Sequence, residues 1–283
     1  MLPPSVRVSI VLPVRNGEKH LLAALNSIQN QTFYLYELII INDGSIDNTA
    51  EIIRQTSVHD HRITIINNSC SMGMGYVFNQ GIHVAQGEYV ARMDADDIAH
   101  PDRLAKQVDF LDANRDVVVV GSQLTLINEM GNLIGTRSYP LCDHDLRRVM
   151  ARFSPFAHPA TMFRRTLVAG LGGYDPRWAP AEDLDLWIRM SKHGKLANLP
   201  DALLSYRIHG ESVTARDGYK MHLLSAKVRI NGVRYHDLVM SKFDIFLSIV
   251  QLAVAPLPFR WRMAFFRLYR HLIIKKILNR TNK

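Results

Sequence analysis

The residues best suited to chemistry are carboxylates that follow short apolar runs. Arg92-Met-Asp-Ala-Asp-Asp97 comes directly after the strand-like stretch 89–93. In an open α/β sheet, ligands bind beyond the carboxyl ends of the strands, which is where this cluster falls. Asp94 and Asp96, two apart in extended chain, point the same way. Hard carboxylate oxygens with no His or Cys nearby suit Mg²⁺ or Mn²⁺ shared with substrate phosphates. The competing reading is a solvated turn ending in a helix cap at Asp97. A second acidic segment is Ile41-Asn-Asp-Gly-Ser-Ile-Asp47. There Asn42 and Asp43 can hydrogen-bond a base or ribose at the same sheet edge, or form a turn that caps the next helix. The third is Glu182-Asp-Leu-Asp185, which leads a helical apolar face of Leu184, Trp187 and Ile188. One acid there can aim into a cleft as a general base while another caps the helix.

Positioning these groups needs a sheet. Residues 6–12, ended by Pro13, form a short apolar run, and 37–41, 63–66, 89–93 and 117–120 continue the series. β-Branched runs with little alternation suit parallel strands covered on both faces. Helical stretches at 19–29, 49–57, 76–85 and 103–113 lie between them, with Pro101 suited to a helix start. The βαβαβαβαβ pattern predicts a doubly wound, mostly parallel α/β sheet flanked by helices. Residues 124–216 are less regular, with a helix expected at 183–192 and a strand at 202–208, and complete the same domain.

Composition narrows the options. The chain has 283 residues, 47% hydrophobic and 21% charged, which excludes a disordered, collagenous or coiled-coil protein. Two cysteines, Cys70 and Cys142, exclude a disulfide scaffold and a four-cysteine zinc site. The N-terminus lacks the basic and apolar regions of a secretory signal, so a cytoplasmic setting is expected. The net charge of +8 is unevenly spread: residues 216–283 hold 14 Lys/Arg against 3 Asp/Glu, whereas 1–215 hold 20 against 23. The basicity belongs to a tail, and an anionic surface is its expected partner.

Eight segments in order resemble the inverting glycosyltransferases of family 2, with the nucleotide-sugar-binding fold called GT-A. They are Val8-Ser-Ile-Val-Leu-Pro-Val-Arg-Asn-Gly17, Asn42-Asp-Gly-Ser-Ile-Asp-Asn-Thr49, Gly87-Glu-Tyr-Val-Ala-Arg-Met-Asp-Ala-Asp-Asp97, Pro101-Asp-Arg-Leu-Ala-Lys-Gln107, His158-Pro-Ala160, Gly172-Gly-Tyr-Asp175, Glu182-Asp-Leu-Asp-Leu-Trp187 and Ser205-Tyr-Arg-Ile-His209. The resemblance implies a nucleoside-diphosphate-sugar donor and a glycan or lipid-linked glycan acceptor. It implies that Asp94 and Asp96 bind a divalent metal and the donor diphosphate, with His209 as a further metal contact. Asp183 is then the base that deprotonates the acceptor hydroxyl, and Pro13, Asn16, Asn42, Asp43, Asn79, Arg92 and Glu182 line the nucleotide-sugar pocket. Two positions depart from the family: Asn42 stands where an acid is frequent, and Phe78 where many relatives have Arg, which leaves Arg92 as a source of phosphate contact.

Two other readings compete with this one. A nucleotidyltransferase would carry a Gly-rich loop with a nearby Lys after the first strand, and Leu12-Pro-Val-Arg-Asn-Gly17 offers neither. A nucleic-acid-binding protein would use the basic tail, but leaves the acidic cluster unexplained, so no nucleic acid is expected. The expected organisation is a catalytic domain over 1–215 and a basic amphipathic helical tail over 216–283. The uncharged run 245–259 has 15 residues, fewer than the ~20 of a spanning helix, and residues 260–283 then hold eight Lys/Arg and no acid. That tail is expected to lie on the anionic inner face of the cell membrane, making the protein peripheral.

Overall fold

The computed structural model describes residues 6–58, 60–210, 218–254, 256, 257 and 261. The first half runs β1 (Val8–Val14), α1 (Leu21–Gln29), β2 (Tyr36–Asp43), α2 (Thr49–Ser57), β3 (Ile63–Asn68), α3 (Met74–Val84), β4 (Tyr89–Arg92), β5 (Ile98–Ala99) and α4 (Arg103–Ala113). It continues with β6 (Val117–Ile127), β7 (Leu133–Arg137), α5 (Asp143–Met150), β8 (Met162–Arg164), α6 (Arg165–Gly170), α7 (Glu182–Met190), β9 (Lys195–Arg207), α8 (Gly218–Tyr235) and α9 (Lys242–Val254).

Every residue of β1 and β2 is buried, as parallel strands covered on both faces must be. Alternation sends their side chains into two layers. Ile10, Leu12, Leu38 and Ile40 pack with Leu21, Leu25 and Ile28 of α1 and Leu104, Val108 and Leu111 of α4. Val11, Ile39 and Ile41 face the other way, into a layer with Val77 and Phe78 of α3 and Leu184, Trp187 and Ile188 of α7.

The strands lie in the order β3-β2-β1-β4-β8-β6-β9-β5, with β7 paired to β6. The first four are parallel, as the alternating pattern predicts. The fifth expected strand, β6, runs in the same direction but does not pair with β4. β8 inserts between β4 and β6, antiparallel to both, so the sheet is mixed beyond β4. Its insertion is stitched by α4: Arg103 Nη2 donates to Arg92 O at 2.7 Å and Thr161 O at 3.3 Å, and Gln107 Nε2 donates to Ala160 O at 2.8 Å.

β1 also runs through Pro13 instead of ending there. Pairing with β4 stops at Val11, whose carbonyl accepts from Met93 N. Residues of a parallel strand alternate the side to which N–H and C=O point, so Pro13 faces the side that β4 has already left. Its missing donor therefore breaks no ladder bond, and pairing with β2 continues to Val14.

The C-terminal helices are joined to this core. Val228 of α8 and Leu238 belong to the same apolar layer as Trp187 and Ile188. The expected boundary at 215/216 falls in 211–217, outside the described residues, as does the expected amphipathic stretch 260–283 apart from position 261.

Candidate active site

The acidic cluster is made by a turn. β4 ends at Arg92, and a turn at Ala95 and Asp96 brings Asp97 N to 3.4 Å from Asp94 O. Expected extended spacing would align Asp94 with Asp96 alone; the turn adds Asp97. One carboxylate oxygen from each of the three lies within 4.8 Å of the others. Asp97 is fully buried and is no helix cap. Its Oδ1 accepts from Arg207 N at 2.9 Å, while its Oδ2 has no hydrogen-bond partner among the described residues. Burial, then the charges of Asp94 and Asp96, hold the Asp97 carboxyl well above the usual carboxylate range. Asp94 is raised too, chiefly by burial, against the opposing charge of Arg92.

β9 delivers the rest of this centre. Arg207 and His209 project to one side of an extended segment. Arg207 Nε donates to Asp96 O at 2.8 Å, and His209 Nε2 lies 2.7 Å from Asp96 Oδ2. The expected His209 contact is thus with the cluster's own carboxylate.

Arg92 links the cluster to the third acidic segment. Its side chain is buried, its Nη1 lies 2.5 Å from Asp94 Oδ2, and its guanidinium stacks on Phe78 at 4.8 Å. Neither Nε nor Nη1 is aligned for a hydrogen bond. Phe78, which stands where relatives have Arg, therefore supports a cation. Burial would lower the Arg92 pKa, but Asp94 outweighs it and keeps the group charged. Its charge in turn reaches Glu182 and Asp183 at the start of α7.

Asp183 is partly exposed, with Oδ2 accepting from Ser154 Oγ at 3.2 Å and Oδ1 from Leu184 N at 2.7 Å. Burial pushes its carboxyl up, and those two donors and Arg92 oppose the rise. Glu182 is more enclosed; burial and then the Asp183 charge push it up to about 7, and its Oε2 has no hydrogen-bond partner among the described residues. Asp185 pairs with Arg189 at 2.8 Å and belongs to the helix.

The second acidic segment organises loops. Asp43 accepts from Asn68 Nδ2 (3.0 Å), Ser71 Oγ (2.7 Å) and Met72 N (2.9 Å). Burial would raise its pKa, but these donors hold it below the usual range. Gly44, at φ 68°, turns the chain so close to Cys70 that a Cβ would lie 2.8 Å from its carbonyl carbon. Asn42 Oδ1 accepts from Ser45 N at 3.2 Å, and Asn16 Oδ1 from Ile46 N at 3.0 Å, so the loops after β1 and β2 are tied together. Pro13 lies in β1 beside Ile41. Asn79 stands apart: its amide donates to Tyr174 O and accepts from Tyr174 N, both at 2.8 Å, so it clamps that backbone.

Read alone, the sequence assigned no site role to Asp97, Ser154, Arg103, Arg207 or His158. His158 Nε2 lies 2.7 Å from Tyr174 Oη in the aromatic nest under Arg92, and burial and then Arg92 drive its pKa well down, so it is neutral. The two-residue spacing of Arg207 and His209 on a strand was the available signal; the others depend on partners distant in sequence.

Residues 9–171 match the family model described as "Glycosyl transferase family 2". An uncharacterized glycosyltransferase of Haemophilus influenzae is 32% identical over 253 residues, 86% of this chain and 77% of the relative. The O-antigen biosynthesis glycosyltransferase WbnJ of Escherichia coli is 32% identical over 210 residues, 72% of this chain and 81% of WbnJ. Among solved structures, the mannosyltransferase PcManGT from Pyrobaculum calidifontis, in complex with GDP-Man and Mn²⁺, superposes with a TM-score of 0.64 at 18% identity, covering 93% of this chain and 73% of that one. That likeness is one of fold.

Proposed function

The chain belongs to glycosyl transferase family 2 and is a glycosyltransferase, and from that premise we propose a reaction: an inverting, metal-dependent transfer of a hexosyl or N-acetylhexosaminyl group from a nucleoside-diphosphate sugar to an acceptor hydroxyl. The observation that carries it is the Asp94/Asp96/Asp97 cluster at the end of β4, beside a buried arginine with unaligned N–H groups. The donor set fits a hard divalent ion: three carboxylates converge, and the unpartnered Asp97 Oδ2 is a buried acceptor that a cation would satisfy. Asp94, Asp96 and His209, with Asp97 behind them, would hold Mn²⁺ or Mg²⁺, which supplies Lewis-acid neutralisation of the departing nucleoside diphosphate when bound. GDP-Man and Mn²⁺ in the Pyrobaculum neighbour support a donor and metal of this kind.

The chain's own groups divide the work. Arg92, buried and paired with Asp94, adds positive charge behind the diphosphate site. Pro13, Asn16, Asn42 and Asp43 shape the nucleoside side through the tied loops, with Asn79 fixing the backbone at Tyr174 and Glu182 bordering the sugar. Asp183 takes the proton from the acceptor hydroxyl as it attacks the anomeric carbon from the face opposite the leaving group. Its raised pKa makes it a stronger base than an ordinary carboxylate, while Ser154 and Leu184 N keep it aimed. A single displacement inverts the anomeric configuration.

The acceptor is a glycan or lipid-linked glycan of a cell-surface polysaccharide, lipopolysaccharide or glycolipid; the O-antigen role in the name of WbnJ supports this. The protein works in the cytoplasm, peripheral on the inner face of the membrane. No described helix is long and apolar enough to cross a membrane. Support for peripheral attachment comes from α9, whose outward face shows Ile245, Phe246 and Ile249, all more than half exposed, and from the eight Lys/Arg of 260–283. The test is a thermal-shift panel of uridine, guanosine and thymidine diphosphate sugars with and without Mn²⁺, followed by NMR of the product anomer. At least one sugar nucleotide should raise the melting temperature only with the metal, and the product should have the inverted configuration. Retention of configuration would overturn the mechanism.

A further inference from the structure

The base proposed above is held by a residue whose own anchorage lies far away in sequence. Ser154, the side-chain donor to Asp183, sits on the connection that follows α5. Its two predecessors on that connection are both fixed by α9. Arg152 Nε reaches Asp244 Oδ1 at 2.5 Å, and Arg152 O accepts from Gln251 Nε2 at 2.9 Å. Phe153 packs with Val149 and Leu247. Asp244, Leu247 and Gln251 are spaced i, i+3 and i+7, so one stripe of α9 makes all three contacts. Asp244 is itself secured by Ser241 N at 2.8 Å and Ser241 Oγ at 2.6 Å. From α8, Arg229 Nε donates to Met150 O at 3.0 Å, just before the same connection.

Such an arrangement is unusual for a surface helix. The stripe α9 turns inward holds a buried acid and a buried amide, while the stripe it turns outward is apolar. Ordinary amphipathic packing would place them the other way round. The inward polar groups thus serve specific partners, and those partners are the residues next to Ser154.

We propose that α9 is a positioning element for the acceptor-side base: through Asp244 and Gln251 it fixes residue 152, and through Leu247 residue 153, which places the Ser154 hydroxyl on the Asp183 carboxylate. The proposal rests on the reading of Asp183 as the base. The charged and titratable groups facing Asp183 are Arg92 from β4, Glu182 on its own helix and Tyr174. None of them belongs to α9, so among the described residues the link from α9 to Asp183 runs through Ser154. A hydroxyl donating to a carboxylate favours the charged form and fixes its direction. Losing it raises the pH needed to ionise the base and lowers turnover below that pH, without touching the donor side at Asp94 and Asp96.

The experiment follows nucleoside-diphosphate release, with Mn²⁺, from whichever sugar nucleotide stabilises the protein most, across pH. Ser154→Ala should lower kcat about tenfold and move the acid limb up by about one pH unit, with donor KM unchanged, the scale of one hydrogen bond to a charged group. Gln251→Ala and Asp244→Asn should do the same more weakly, and Ser154→Ala/Gln251→Ala should be no worse than Ser154→Ala alone. Gln251→Ala leaves the Arg152–Asp244 pair intact and carries the test if Asp244→Asn fails to fold. An unchanged acid limb in Ser154→Ala, or α9 variants that lose melting temperature while keeping the wild-type pH profile, would overturn the proposal. Asp183→Asn is the separate control: full turnover there would remove the base reading itself.

Discussion

Glu182 and Asp183 are adjacent acids with different surroundings, and the roles proposed for them rest on that difference. Asp183 has two hydrogen-bond donors and remains partly exposed, so it can ionise and meet a hydroxyl. Glu182 has a buried Oε2 without a partner and a carboxyl pushed up to about 7, so it carries its proton over much of the acid range. This has a consequence for stability. The folded pKa lies above the unfolded value, so the folded state holds the proton more tightly; the resulting stabilisation is complete below the unfolded pKa and is lost as pH rises through the folded one. Glu182→Gln removes that dependence. The variant should be close to wild type in melting temperature near pH 4.5 and more stable than wild type above pH 7, by on the order of 3 kcal/mol. Parallel melting curves across that range, with no gain for the variant at high pH, would show that Glu182 ionises without cost.

At the scale of elements, what the chain shows in its sequence follows the range of the interaction. β2, α2 and α4 were legible from local apolar runs, because burial on two faces leaves continuous β-branched stretches and helices between them. β8 was not, since its three residues take their place by pairing with β4 and β6, helped by bonds from Arg103 and Gln107 of α4 to the residues just before it. Pro13 read as a stop because its tolerance depends on where β4 ends. Asp94 and Asp96 were legible as a pair from the motif, whereas Asp97 joined them only through the turn and the Arg207 amide, 110 positions away. The polar stripe of α9 was invisible for the same reason. Its apolar stripe, however, makes a prediction at this scale. Full-length protein should float with anionic vesicles and less so as salt rises, because basic residues near the surface contribute about 1 kcal/mol each. Phe246→Ser/Ile249→Ser and removal of residues 260–283 should each weaken flotation. Equal flotation of both variants would separate α9 and the tail from any membrane role.

Across the whole molecule, the proposed reaction falls between two groups of loops. The ends of β1, β2 and β4, with residues 207 and 209 at the end of β9 and just past it, form the proposed donor site around Asp94, Asp96 and His209. The start of α7, braced from α5, α8 and α9, presents Asp183. Arg92, buried between them and felt by both, is the side chain on which the two halves meet. If this division is correct, the halves can be broken separately. The direct measurement is a calorimetric titration of UDP and GDP, with Mn²⁺, into wild type, Asp96→Asn and Asp183→Asn, with turnover recorded on the same preparations. Asp183→Asn should bind the preferred nucleotide as wild type does while losing turnover by roughly 10²-fold or more, the scale of a lost general base. Asp96→Asn should lose the metal-dependent binding itself. Binding by Asp96→Asn that matches wild type, or wild-type turnover by Asp183→Asn, would contradict the assignment of donor and base to these two sites.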